Sequence, residues 1–541
     1  MFAQQQPKPL NQYLLAAVLA AMLLIPFPSQ AAKAVSVEKA GKVDVIVVYD
    51  QRPDAAEDAR LKGLGASFKH AYQEMPMRSL SVPAHVVDKL ANAKGVSFVA
   101  KDGMVSTQAY VGDSILQPMP VTSVDNGNSG LETANVPMDS TVKLSMSGVG
   151  IAVIDSGVAG HYDLNVAGRY DCLSSGATSL APSASSCVDT VGTKIEPTDF
   201  DPFGHGTHVA GVASGDGSLS SSKYRGVSNN LPIHSFRVLD GEGKGQVSDV
   251  IAALDYILAN GDLTNIRVVN MSLGKGVDES NATDPLVLAV EQVWDAGYVV
   301  VASAGNYGLH GNFTITSPGN SRKVITVGSI TDNGTGTDFS DDYVSSYSSM
   351  GPTLGDHVLK PDLIAPGNRY VASVHPGAYL QKLLGLLDDD TCSFDCQRGY
   401  LELSGTSMAA AMTSGAAALM LARDPSLTPA TVKARLMRSA RKIDGDPTAT
   451  GAGVLDVTAA LMDNGYVTGE ALSPLMARSE EGPVILVEDT ADLWGADEWS
   501  AGFLWADGFL WADGFLWADG YLWADGFLWA DGFLWADGFL W

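Results

Sequence analysis

Gly150-Ile151-Ala152-Val153-Ile154-Asp155-Ser156-Gly157 is an apolar run that ends in an acid and a glycine turn. Continuous apolar side chains without polar alternation fit a strand covered on both faces, as in a parallel sheet. The carboxyl end of such a strand is where open α/β sheets place their sites. The chain around it repeats the pattern: apolar strands at Ile233 to Leu239, Ile266 to Leu273 and Tyr298 to Ser303 alternate with helical stretches at Val247 to Asn260 and Pro285 to Ala296. This alternation predicts an α/β fold, a parallel sheet with helices on both faces.

Two further stretches carry chemistry. In Gly204-His205-Gly206-Thr207-His208-Val209-Ala210-Gly211 the glycines let another backbone approach closely, and His205 opens a helix. A helix N-terminus disfavours imidazolium, so a neutral His there can act as a general base. Leu403-Ser404-Gly405-Thr406-Ser407-Met408-Ala409-Ala410-Ala411 runs from a turn of small residues into an Ala-rich helix, with Ser407 in its first turn. Unpaired N–H groups and the helix dipole at that point stabilise a developing oxyanion. By itself this serine also reads as an N-cap on a core helix. Taken together, Asp155, His205 and Ser407 supply the orienting carboxylate, the base and the nucleophile of a serine hydrolase.

These three motifs, in this chain order, resemble those of the subtilisin-like serine proteases, and the resemblance covers about residues 140 to 460. It implies a subtilisin-like catalytic domain in which Asp155 orients His205, which deprotonates Ser407 for attack on a peptide carbonyl. The family counterpart of His208 is a packed structural residue. Ala304-Gly305-Asn306-Tyr307-Gly308 is similar to the family segment whose Asn donates to the oxyanion, which makes Asn306 the fourth catalytic residue; a turn Asn with positive φ is the plain alternative. Asn270-Met271-Ser272-Leu273-Gly274 is similar to the strand edge that pairs with extended substrate, placing Ser272, Leu273 and Gly274 beside the first specificity pocket. An edge of this kind captures extended peptides through main-chain hydrogen bonds and suggests broad endopeptidase action. The chain departs from the family pattern at Ala411 and Met412, where proline and often histidine follow the serine, and at Tyr162, where proline precedes Asp163-Leu164.

The remaining sequence sets the context. The 541 residues are 46% hydrophobic and 18% charged, which is globular composition. A net charge of −27, from 34 Lys and Arg against 61 Asp and Glu, argues against nucleic acid and anionic membrane surfaces. Lys8 precedes an apolar stretch from Leu14 to Phe27 and then Pro28-Ser29-Gln30-Ala31. The apolar core is short for a bilayer span, so residues 1–31 read as a signal peptide, and the mature protein as secreted, extracellular or periplasmic. Four cysteines fit export, and proximity favours pairing Cys172 with Cys187 and Cys392 with Cys396 among three connectivities.

Within residues 32–118 the pattern reads strand at Val43 to Tyr49, helix at Asp54 to Leu64, strands at Ser67 to Gln73 and Met77 to Val82, helix at His85 to Ala93 and strand at Val96 to Lys101. This β-α-β-β-α-β order is a small ferredoxin-like α+β domain. Its place ahead of residues 119–463, the peptidase domain, looks like the inhibitory propeptide of subtilisin-like proteases, which would make it an intramolecular partner removed on maturation. The catalytic chemistry requires no cofactor. Structural calcium is possible at Asp199-Phe200-Asp201 or Asp388-Asp389-Asp390, although solvated acidic loops explain both.

Residues 464–500 read as a mixed linker, and from 501 to 541 the hexapeptide Gly-Phe-Leu-Trp-Ala-Asp recurs, with Tyr521 replacing one Phe. Six is even, so an extended chain would keep Phe, Trp and Asp on one face, whereas a helix would scatter them. The readings of this tail are a low-complexity extension, disordered or loosely self-associated, a retention or surface-anchoring element, or an array that stacks on a carbohydrate or other polymer. A catalytically silent protease-fold scaffold binding partners through the tail is the alternative function, and an esterase or ligase would use the same nucleophile.

Overall fold

The computed structural model describes residues 41–107, 129–137, 148–174, 187–190, 200–387, 399–443, 445–478 and 484–488. The proposed signal peptide, Cys392 and Cys396, Asp388 to Asp390 and the hexapeptide repeats lie outside the described residues.

The first unit follows the order read from the sequence: β1 (Lys42–Tyr49), α1 (Ala55–Gly63), β2 (Ser67–Ala71), β3 (Met77–Pro83), α2 (Val87–Ala91) and β4 (Val96–Lys101). Asp54 starts α1 by accepting hydrogen bonds from the N–H groups of Ala56 and Glu57. The strands pair as β2-β3-β1-β4, antiparallel throughout. Strand alternation gives this sheet two apolar faces. Val45, Val47 and Tyr49 pack with Leu61, Leu80, Val82 and Leu90 in the unit's own core, whereas Ile46 and Val48 join the core of the larger unit. The small sheet is therefore closed only when docked.

Next, β5 (Met104–Thr107) leaves the first unit, and the larger unit opens with β6 (Gly150–Asp155), β7 (Val166–Asp171), β8 (Val188–Asp189), α3 (His205–Ser214) and β9 (Ile233–Arg237). It continues through β10 (Lys244–Gln246), α4 (Val247–Thr264), β11 (Ile266–Met271), β12 (Leu273–Gly274), α5 (Pro285–Asp295), β13 (Val299–Ser303), β14 (Ile325–Thr331), β15 (Tyr343–Val344), β16 (Leu363–Pro366), α6 (Thr406–Arg423) and α7 (Pro429–Arg438). The main sheet runs β15-β14-β13-β11-β6-β9-β7-β8 with β16 beside β14. Only the pairs with β15 and β8 are antiparallel. Two helix pairs, α3 with α6 and α4 with α5, cover it. β6 lies where the strand order turns back on itself, between β9 and β11, so Asp155 sits at the crevice such a switch opens. Among the described residues, no helix is long and apolar enough to cross a membrane.

Residues 464–478, read from sequence as linker, pack on the larger unit: Val467, Ala471, Ser473 and Met476 are buried, and Leu359 and Met476 N–H groups donate to Pro474 and His357 carbonyls. Cys172 and Cys187 form the disulfide expected from their spacing.

Candidate active site

Asp155 ends β6 and His205 opens α3, and two glycines let these segments touch. A Cβ on Gly206 would lie 2.0 Å from the Gly157 carbonyl oxygen, and one on Gly157, at φ +108°, would lie 1.8 Å from that of Phe200. Across this contact His205 Nδ1 is 2.8 Å from Asp155 Oδ1 and 3.0 Å from Oδ2, and the Ser156 N–H donates to the same carboxylate at 2.7 Å. With the proton drawn to Nδ1, Nε2 carries the lone pair, and this buried atom has no hydrogen-bond partner.

Asp201 holds the start of α3. The sequence reading made it a solvated acid or a calcium ligand, but it is fully buried. Its carboxylate accepts from the N–H groups of Gly204 and Thr207, each at 2.8 Å, and from the hydroxyls of Thr207 and Ser156. Those donors oppose burial, which pushes its carboxyl upward. Among the described residues, no group of three or more His, Cys, Asp or Glu is placed to hold a metal ion.

Ser407 is the second residue of the 18-residue helix α6, within the turn whose N–H groups lack intrahelical acceptors. Its hydroxyl donates to the Ser272 carbonyl at 3.2 Å rather than to His205. Catalytic hydrogen bonds are often loose until substrate is bound. A buried relay fixes this serine's backbone: Ser414 Oγ donates to Asn270 Oδ1, Asn270 Nδ2 to Ser272 Oγ, and Ser272 Oγ to the Ser407 carbonyl, each at 2.9 Å. Ala411 and Met412 leave α6 unbroken through this region.

Asn306 follows β13, and its Oδ1 accepts from the N–H and the hydroxyl of Thr406, both at 3.0 Å. Fixing that oxygen beside the residue before Ser407 turns Nδ2 into the donor end of the amide. His208, one turn along α3 from His205, donates Nε2–H to the Tyr370 and Leu401 carbonyls at 3.1 and 2.9 Å. Burial, with His205 nearby, pushes it down to about 3, so it is a neutral packed histidine as expected.

Ser272, Leu273 and Gly274 do form a strand edge beside Ser407, but that edge is occupied. β5 lies between β10 and β12, antiparallel to both, with Thr107 opposite Leu273, Ser106 opposite Gly274 and Val105 opposite Gly245. Val105 is buried in the main core. The sequence reading also missed Thr316, which stands behind this edge: Cβ atoms on Gly274 and Gly305 would meet its Oγ1 and Cγ2 at 2.7 and 2.8 Å. No local motif marks Thr316 or Ser414, because the residues they meet are remote in sequence.

A carboxylate, an imidazole with an open nitrogen and a helix-borne serine, gathered at the carboxyl end of a largely parallel sheet, define a serine endopeptidase of subtilisin type. Residues 146–455 match the profile of the subtilase family, and the chain belongs to that family. It is 38% identical to the serine protease AprX of Bacillus subtilis over 319 residues, covering 58% of this chain and 66% of AprX. Against subtilisin J of Geobacillus stearothermophilus identity is 30%, covering 79% and 93% of the two chains. Fervidolysin from Fervidobacterium pennivorans, a keratinolytic enzyme related to subtilisin, shares the fold at a TM-score of 0.57 and 20% identity over 78% of this chain and 61% of its own.

Proposed function

We propose that the chain is an exported serine endopeptidase made as a self-inhibited precursor. In this reading His205, oriented by Asp155, takes the proton of Ser407, whose oxygen attacks a peptide carbonyl to give an acyl-enzyme that water then hydrolyses. Asn306 Nδ2 and the N-terminus of α6 stabilise the oxyanion. Export is supported by the N-terminal apolar stretch and by the Cys172–Cys187 disulfide.

The placement of β5 carries the precursor reading. Its residues make the antiparallel ladder an extended substrate would make, and Thr107 stands opposite Leu273, next to Ser272, whose carbonyl meets Ser407 Oγ. The first unit is docked to match. Asp255 on α4 accepts the N–H groups of Gln73, Glu74 and Met75 at 2.7, 2.7 and 2.9 Å, Asp102 caps Ser248 at the start of α4, and His70 Nε2 is 2.7 Å from Asp249.

Intact mass and N-terminal sequence of the wild type and Ser407→Ala, each expressed in full, test the reading together with hydrolysis of a generic protein. The wild type is expected to lose the first unit, acquire a new N-terminus within a few residues after Thr107 and digest the substrate, while Ser407→Ala stays full length and inert. If both remain unprocessed and inactive, the scaffold alternative takes its place.

A further inference from the structure

Lys433 and Lys360 are among the largest fully buried side chains of the molecule, and neither takes part in the chemistry above. Lys433 reaches from α7 into a ring of oxygens. Its Nζ lies 3.0 Å from the Arg322 carbonyl, 3.2 Å from that of Lys323, 3.5 Å from that of Val324, 2.9 Å from Ser473 Oγ and 3.2 Å from Asp362 Oδ1. The Ser473 hydroxyl gives its own proton to Asp362 Oδ1 at 2.6 Å, so it faces Lys433 as an acceptor. Asp362 Oδ2 is taken by Lys360 at 2.7 Å and by the Thr326 N–H at 2.8 Å, and Lys360 also donates to the Val324 carbonyl at 3.0 Å.

Five oxygens, all accepting, converge on a single nitrogen. That is how a protein binds a bare cation, with main-chain carbonyls, a hydroxyl and a carboxylate as ligands. A neutral amine has two protons to offer such a ring, and an ammonium has three. Burial works against the lysine charges and pulls both below the ordinary lysine range, with Asp362 opposing it. Burial also works against the Asp362 charge, but the two lysines outweigh it and hold that carboxyl below its usual range. The one carboxylate balances one of the two ammonium groups, and uncharged carbonyl and hydroxyl oxygens face the other.

We propose that the Lys433 ammonium is a tethered cation filling an oxygen cage formed by residues 322–324, Asp362 and Ser473. The cage joins the chain entering β14, the chain entering β16, helix α7 and the C-terminal segment, and Lys433 closes it without a free ion. Emptied of the lysine, it takes a monovalent ion of ammonium's size, for which potassium is the probe.

The test uses full-length protein carrying Ser407→Ala, so that self-digestion does not enter, at mildly acidic pH, where the ammonium is retained. Tm is measured against rising potassium chloride and, at matched ionic strength, tetramethylammonium chloride, whose cation is too large for the cage. The parent is expected to show the same Tm in both salts. Lys433→Ala is expected to melt lower and to recover in potassium alone, the gain growing with the logarithm of its concentration. Lys433→Met, whose side chain fills the cage without charge, is expected to melt lower and gain nothing. Equal behaviour of Lys433→Ala in the two salts, a Tm equal to the parent's, or the same potassium gain in Lys433→Met or the parent overturns the proposal. Should Lys433→Ala not fold in dilute buffer, it is prepared in potassium chloride, and failure to fold there overturns the proposal as well.

Discussion

Two buried carboxylates, Asp155 and Asp362, stand at opposite extremes of one physical problem. Both are fully buried and both face cations or potential cations. Around Asp362 each strong donor finds an acceptor: two lysines, a serine hydroxyl and a backbone N–H share two oxygens and the neighbouring carbonyls. Around Asp155 the hydrogen bonding stops one atom short, because His205 Nε2 is buried and unpaired and Ser407 donates elsewhere. An unsatisfied buried nitrogen costs about 1–3 kcal/mol, and at His205 that nitrogen is the one the proposed chemistry needs as its base. At Asp362 the completed network holds four segments together, and at Asp155 the interrupted one leaves the base open to a substrate.

The same isosteric change at both positions tests this contrast most severely. Asp155→Asn is expected to lower kcat by roughly 10⁴-fold with an unfolding midpoint near wild type, because the amide keeps the shape but presents the wrong partner to Nδ1. Asp362→Asn is expected to do the reverse. Two buried ammonium groups left without their carboxylate cost about 3–5 kcal/mol, read as a lower urea midpoint, while kcat per folded molecule holds. If Asp155→Asn chiefly unfolds the protein, or Asp362→Asn chiefly slows turnover, the division of labour is wrong.

His205 and His208 sharpen the contrast within one helix. His208 is held near 3 when folded, against an ordinary value of 6.5, so the unfolded chain takes up its proton first as acid is added. Stability from this residue is therefore intact above about pH 6.5 and is lost as pH falls towards 3, on the order of 4–5 kcal/mol in all. His208→Gln keeps an N–H for the Tyr370 and Leu401 carbonyls but cannot titrate. Its stability between those pH values is expected to fall less steeply, although His234, pushed by burial to about 4, retains part of the slope. Identical acid limbs in the two proteins would remove His208 from the account.

Legibility in the sequence followed range. β1 to β4, the alternation through β13 and the three motifs are written in consecutive residues, where periodicity, glycine turns and helix starts act over a few positions. The Asp362 cage, the Ser414–Asn270–Ser272 relay and the packing of 464–478 join residues far apart, and nothing local announces them. Asp201 misled for the same reason: an acid in a polar stretch looks solvated until the donors of α3 close around it.

Thr316 belongs to that hidden class, and the smallest expected effect concerns it. Its side chain stands between Gly274, on the edge that pairs with β5, and Gly305, next to Asn306, and it is buried there. The family resemblance puts Gly274 beside the first specificity pocket, and on that reading a threonine packed against Gly274 and Gly305 shortens the pocket. Thr316→Gly is expected to raise kcat/KM for peptides with a large aromatic residue before the cut bond, relative to alanine, by about 10–100-fold, the range a few methyl-sized groups command in an apolar pocket. Thr316→Ala should fall between. Either change removes the Thr316 hydroxyl's bond to the Ala304 carbonyl, 3.3 Å, and keeps the backbone N–H bond to the same oxygen, 2.9 Å. A preference ratio unmoved by both variants would place the pocket elsewhere and would separate Gly274 from substrate selection.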